Sequence, residues 1–167
     1  MNKDYRKMEQ ISFRPIGIIH SPFTKLEGMP IQPSAAKGIK GQIVIREEFA
    51  EGLSDLSGFS HIYLLYHFHL SKTYNLKVVP FLDDVKRGVF STRAPKRPNP
   101  IGLSVVKLNG IRFNILDIEN VDIIDGTPLL DIKPYVPEMD EVMQYKLGWL
   151  SKNRNNLHSK KSDKRFK

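Results

Sequence analysis

A chain of 167 residues is one domain's worth of protein, with room for a single hydrophobic core. Its composition, 40% hydrophobic and 26% charged, argues against disorder throughout, and zero cysteines exclude a disulfide framework, a thiolate zinc site and a cysteine nucleophile. The net charge of +8 is uneven: residues 151–167 hold seven Lys or Arg against one Asp, and the remainder is near neutral, with 19 basic and 17 acidic residues.

Residues 1–12 read as a polar leader without the apolar stretch of a secretory signal, and no apolar run approaches the ~20 residues that span a bilayer. A cytoplasmic protein with no membrane partner is therefore expected. Phe13 to His20 (FRPIGIIH) predicts a strand ended by Ser21–Pro22. Residues 21–40, rich in Pro, Gly, Ser and Lys, predict a long ordered loop of the kind that carries function. Gly41 to Arg46 predicts a strand, Phe49 to Leu56 a short helix or turn, and the aromatic run His61 to Leu70 a buried strand. Gly88 to Thr92 predicts a strand entering the loop RAPKRPNPIG, whose three prolines forbid helix and stiffen the chain. Leu103 to Leu108 and Ile111 to Ile118 predict strands joined by a tight turn at Asn109–Gly110. Val121 to Ile124 and Leu129 to Lys133 predict two more, flanking a turn at Asp125–Pro128. Met139, Met143, Leu147 and Leu150 fall at helical spacing after Pro137, which predicts an amphipathic helix over 138–150. Many short strands with one terminal helix argue for a mainly β chain, an antiparallel barrel or sandwich, followed by a flexible basic tail.

The familiar catalytic templates are missing: no P-loop, no glycine-rich strand-to-helix fingerprint, no zinc-protease motif and no nucleophile elbow. His67 and His69 share a strand face, but no third ligand follows at metal spacing, so no metal is expected. Two segments stand out. The proline loop holds Arg93, Lys96 and Arg97 on a rigid frame, which lowers the entropy cost of gripping a carboxylate or phosphate; ordinary solvated charges are the alternative. In the second segment, Asp125-Gly126-Thr127-Pro128, a turn carboxylate can bind a ribose diol and Gly126 lets backbone approach a ligand; a plain Asx turn is the alternative. The tail suits contact with a polyanion through Lys160, Lys161, Lys164 and Arg165, or else is only a solvated end.

Ser21–Pro22, Gln32–Pro33, Gly58-Phe-Ser-His61, Gly88-Val-Phe-Ser-Thr-Arg93, Arg97-Pro-Asn-Pro-Ile-Gly102 and Asp125-Gly-Thr-Pro-Leu-Leu-Asp-Ile-Lys-Pro134 occur together in this order. Over residues 13–137 the chain resembles the TsaA/TrmO family. The resemblance implies a small antiparallel β-barrel that uses S-adenosylmethionine without a Rossmann fold. It implies N6-methylation of N6-threonylcarbamoyladenosine next to the anticodon of threonine tRNA, and a homodimer. By motif matching, cofactor contacts fall on Ile31, Gln32, Pro33, His69, Leu70, Arg93, Leu103, Asp125, Gly126, Thr127 and Pro128. Family members commonly carry Gln where this chain has Leu70, and well-known bacterial members carry a further C-terminal domain where this chain has a helix and a basic tail.

Methyl transfer from a sulfonium is an in-line displacement, so it needs neither a covalent nucleophile nor a metal. A ureido-linked nitrogen must lose a proton, and Asp125 and His69 are the sequence's candidates to take it. Lys96 and Arg97 join the tail as RNA-binding candidates. The tail is expected to serve RNA affinity and not the cofactor site. A methyltransferase acting on another RNA or a small molecule, and a non-enzymatic RNA-binding barrel, are the competing readings.

Overall fold

Alternation decides which side chains turn inward. In β3 (His61–His67) the buried residues are Ile62, Leu64 and Tyr66, every second position, as expected when one sheet face meets a core. The computed structural model describes residues 10–152 and 161–166. Five further strands follow the same rule: β1 (Gly17–His20), β2 (Lys40–Ile45), β6 (Ile101–Arg112), β7 (Ile115–Glu119) and β8 (Thr127–Pro134). Together the six close into an antiparallel barrel in the order β1-β2-β7-β6-β3-β8, which leaves no free sheet edge. Inside are Ile19, Ile43, Ile45, Ile62, Leu64, Val106, Leu116, Ile118 and Leu129. A separate two-stranded ribbon, β4 (Lys77–Val78) and β5 (Arg87–Gly88), stands beside the barrel.

The expected barrel is present, but several expected elements differ. Asn109–Gly110 is not a turn. It lies within the twelve residues of β6, where pairing with β7 shifts between Leu108 and Gly110 and Asn109 is the extra residue of a bulge. The chain reverses instead at Phe113–Asn114, between the paired Arg112 and Ile115. Phe113 takes a left-handed φ of 54°, and Asn114 is anchored to the neighbouring strand: its Nδ2 donates to Ile45 O at 2.6 Å and its carbonyl accepts from Ile45 N at 2.8 Å. Closing the barrel thus overrides the local turn signal. The aromatic strand ends at His67, Gly88–Thr92 is mostly a 3-10 turn (Val89–Ser91), and 121–124 is irregular although Val121 and Ile123 are buried.

The helix expected over 138–150 is a single turn, α1 (Pro137–Asp140). Met139 and Met143 are 82% and 95% exposed, so among the described residues nothing covers this part of the apolar stripe, and a short helix gains little stability without such packing. A 3-10 turn at Gly148–Lys152 then brings Trp149 Nε1 to Ser91 O at 2.9 Å, with Arg87 stacked over the indole.

The segment expected to be a free tail is, over 161–166, a strap. Ser162 N donates to Met29 O (2.8 Å), Gly28 N donates to Ser162 O (3.0 Å), and the Ser162 hydroxyl bonds Leu26 O. Phe166 packs beside Val78, Val89 and Ala94, its ring edge-on to Phe81. These apolar and backbone bonds explain why a basic sequence docks. Lys160 lies outside the described residues.

Three glycines of the barrel strands, Gly17, Gly41 and Gly102, have no room for a side chain, and Gly102 is the one that meets an aromatic ring. Gly102 pairs with Tyr66 across β6 and β3, and a Cβ there would sit 2.2 Å from the phenol ring. Gly102→Ala should therefore lower the unfolding free energy by about 1–3 kcal/mol in urea denaturation, the usual range for overpacking. Unchanged stability would mean that the ring does not rest on this glycine.

Candidate active site

A cavity of about 820 Å³ opens where the ends of β3, β6 and β8 meet three loops and the strap. Met29 to Pro33 form one side, Phe68 to Ser71 a second, and Phe90 to Pro95 with Arg97 a third. Tyr66, Gly102, Asp122 and Thr127 lie between them, and Trp149, Ser162, Asp163 and Phe166 complete the wall. The volume and the mostly apolar lining with a few polar groups suit a small-molecule site.

The proline loop is held by its own side chains. Thr92 Oγ1 donates to Val89 O at 2.8 Å, Arg97 Nη1 donates to Thr92 O at 3.1 Å, and Ser71 Oγ ties Pro95 O at 3.1 Å. Arg97, expected to contact RNA, therefore bonds its own loop while lining the cavity. Arg93 also lines the cavity, and no shorter bond fixes its guanidinium among the described residues.

Deeper in, three residues form a chain. Ser104 Oγ donates to Asp122 Oδ1 at 2.8 Å. A serine has one proton, so the 3.1 Å bond between Tyr66 OH and Ser104 Oγ has the tyrosine as donor. Burial, the dominant cause, pushes the Asp122 carboxyl up to about 6, against the opposing pull of the Ser104 bond and the Arg93 charge. Burial also raises the Tyr66 phenol, which stays protonated as the donor role requires. His69 titrates below its ordinary value, chiefly through burial and then through the positive neighbours His67 and Lys72. Its Nδ1 is buried without a hydrogen-bond partner.

Of the residues expected at the cofactor, Ile31, Gln32, Pro33, His69, Leu70, Arg93, Leu103 and Thr127 line this one cavity. Asp125, Gly126 and Pro128 are not on its wall. Asp125 Oδ1 accepts from Ser21 N and His20 Nδ1, both at 3.1 Å, and these bonds, the backbone one first, hold its carboxyl below the usual range despite some burial. The cavity wall carries two other carboxylates: Asp122, three residues earlier, and Asp163, which pairs with Arg165. Among the RNA candidates, Lys161 is exposed, whereas Arg165 pairs with Asp163 at 2.8 Å, donates to Pro80 O at 2.6 Å and stacks on Phe81. Lys96 is partly buried on the proline loop, and Lys164 belongs to the last 3-10 turn. Among the described residues no group of three or more His, Cys, Asp or Glu is placed to hold a metal ion.

Sequence reasoning missed Tyr66, Ser104, Asp122 and the strap. A faint signal existed for the last three: a serine at an inward position of an apolar strand, an aspartate inside Val121-Asp-Ile-Ile124, and a lone Phe166 in a basic tail.

The Asp122 pKa carries a stability consequence. An unfolded carboxylate titrates near 4, so the folded chain holds this proton more tightly. The contribution to stability is full below about pH 4 and is lost as pH rises through about 6. Asp122→Asn should flatten this part of the Tm-versus-pH curve between about pH 4 and 6.5, and the variant should be at least as stable as the wild type at pH 8. A slope unchanged by the substitution would show that the carboxyl is not buried in the folded state.

Known proteins are similar to this chain in sequence and in fold. A family model described as the tRNA-methyltransferase O N-terminal domain matches residues 18–141. A Pyrococcus abyssi protein described as "Probable S-adenosyl-L-methionine-binding protein" is 56% identical over 156 residues, 93% of this chain and 85% of its own length. A mouse protein named tRNA (adenine(37)-N6)-methyltransferase is 41% identical over 133 residues, 75% of this chain but only 31% of its own. The crystal structure of TrmO from Pseudomonas aeruginosa superposes with a TM-score of 0.71 at 38% identity, covering 84% of this chain. This chain spans 63% of that one.

Proposed function

This chain belongs to the tRNA-methyltransferase O family, and on that premise we propose that its cavity holds S-adenosylmethionine and that it methylates N6 of adenosine 37 in tRNA. The observation that carries the proposal is the convergence of eight family positions, from Ile31 to Thr127, on one mostly apolar cavity whose charged lining is Arg93, Arg97, Asp122 and Asp163. The names of the Pyrococcus and mouse relatives agree with the cofactor and the acceptor respectively.

The residues present fit that cofactor. The Arg93 guanidinium suits the carboxylate of its amino-acid end, and Phe81, Phe90 and Leu103 offer apolar surface for its purine. The buried, unpartnered Nδ1 of His69 is a polar group that a bound ligand would satisfy. Ile31, Gln32, Pro33 and Leu70 border the same space, while Asp125, Gly126 and Pro128 shape the turn behind Thr127. When bound, S-adenosylmethionine supplies an electrophilic methyl group on a sulfonium. The chain's own residues then orient donor and acceptor in line and exclude water, which is where most of the catalytic advantage of such a displacement lies.

The finer assignment is N6-threonylcarbamoyladenosine in threonine tRNA, acted on in the cytoplasm by a homodimer. Exposed Met139, Val142, Met143 and Tyr145 support association, because together they leave apolar surface uncovered. Lys96, Arg97, Lys161 and Arg165 are the described cations that support RNA contact, with Arg97 and Arg165 also holding loop and strap.

Calorimetric titration of S-adenosylmethionine, followed by methyl incorporation into tRNA with and without the threonylcarbamoyl group, tests this proposal. Incorporation only into the modified tRNA is expected; cofactor binding without transfer to either tRNA would contradict it. Arg93→Ala should lose a charge-assisted hydrogen bond of about 1.5–3 kcal/mol, a 10- to 150-fold loss of cofactor affinity. Unchanged affinity would remove Arg93 from the site. Truncation after residue 152 should weaken cofactor binding as well as RNA binding, because the strap forms cavity wall. A truncated chain with wild-type cofactor affinity would place the strap outside the site.

A further inference from the structure

The acceptor nitrogen must give up a proton, and the cavity offers few groups to receive it. His69 Nδ1 is the group assigned above to the bound cofactor, Asp163 is paired with Arg165, and Asp125 is bonded by His20 and Ser21 away from the wall. Asp122 differs from all three. It lies on the cavity wall, and among the described residues no Lys or Arg forms an ion pair with it. Its anchoring comes from the barrel interior: Ser104 donates to Oδ1, and Tyr66 donates to Ser104. That arrangement fixes the carboxylate while leaving its remaining lone pairs available to the cavity.

We propose that Asp122 is the catalytic residue that accepts the proton from the nitrogen being methylated, with Ser104 and Tyr66 as positioning residues. The assignment rests on the methyl-transfer function proposed above. In this step the nitrogen lone pair forms the bond to the methyl carbon, and the electron pair of the breaking carbon–sulfur bond stays on sulfur, so the sulfonium becomes a thioether. The nitrogen–hydrogen bond breaks, and its proton passes to a carboxylate oxygen of Asp122. The groups facing that carboxylate are Tyr66 from β3, Ser104 from β6 and Arg93 from the proline loop; His69, Arg97 and Asp163 are the other ionisable groups around the cavity. Ionised Asp122 is the active form, so the rate should fall as pH drops through about 6.

The test uses the full chain. Single-turnover methyl transfer to tRNA is followed from pH 5 to 8.5 at saturating S-adenosylmethionine, alongside a carbon-13 carboxyl NMR titration of Asp122 in the cofactor-free protein. Asp122→Asn should transfer at least about 100-fold more slowly while still binding cofactor, a loss in the range of a removed general base. In the wild type, the acid limb of the rate and the NMR titration should coincide near pH 6. Ser104→Ala should move both upward together, because the hydroxyl stabilises the charged carboxylate, and Ser104→Thr should restore them. A merely structural serine would lower the rate without moving the titration. Three results overturn the proposal: a rate for Asp122→Asn within about threefold of wild type, a wild-type rate flat through pH 6, or a Ser104→Ala titration that does not move. The second needs no variant and so does not depend on any variant folding. A wild type that binds S-adenosylmethionine but transfers methyl to no tRNA overturns the methyl-transfer function and this assignment with it. An active wild type matched by Asp122→Asn overturns the assignment alone.

Discussion

The cavity depends on a hydrogen-bond chain that begins beside a residue with no side chain. Gly102 leaves space on β6 for the Tyr66 ring, the ring reaches Ser104, and Ser104 reaches the Asp122 carboxylate. A carboxylate taken out of water without partners is costly, and a half-satisfied polar network is worse than an apolar core. Here each hydroxyl has one acceptor, so the network is satisfied in one direction only, from Tyr66 to Asp122. The same chain ties β3, β6 and the loop before β8 together at the place where the barrel stops being packed and starts being hollow.

Around that base, the walls come from parts of the chain far apart in sequence, each held by its own internal bonds. Arg97 braces the proline loop from within, while Arg93 lines the cavity beside it. The strap at 161–166 is joined by backbone bonds to residues 28 and 29 and by Phe166 to the cluster beneath the proline loop, so it couples two walls. A site assembled this way supplies orientation, an apolar surface and a few placed charges. Those are the requirements of an in-line methyl transfer, which asks for no covalent nucleophile.

The barrel was legible in the sequence because alternation over short segments reports burial directly, and β3 and β6 alternate cleanly. Long-range closure was not legible. Asn109–Gly110 has the composition of a turn, yet the pairing of Asn114 with Ile45 sets the reversal four residues later. The Met139–Leu150 pattern has the period of a helix, but periodicity says nothing about whether a partner surface exists, and among the described residues none covers Met139 or Met143. Family motifs located the cavity through Ile31, Arg93, Leu103 and Thr127, but they pointed to Asp125, whose carboxylate secures the end of β1. Asp122 was hidden because an aspartate inside an apolar run reads as a solvated break until a buried serine is found opposite it. Net charge likewise describes the whole basic segment, whereas over 161–166 the Phe166 ring and Ser162 set where the chain docks.

On the proposed function, one cavity, walled by the long loop, the end of β3, the proline loop, the Asp122–Thr127 turn and the strap at 161–166, holds the cofactor. Amide hydrogen exchange with and without S-adenosylmethionine tests it most directly. Slowed exchange should appear together in residues 26–32, 66–71, 90–103, 121–127 and 161–166. Slowing confined to the more open depression on the barrel flank around His20, Lys40 and Asp117, with the strap and proline loop unaffected, would contradict it.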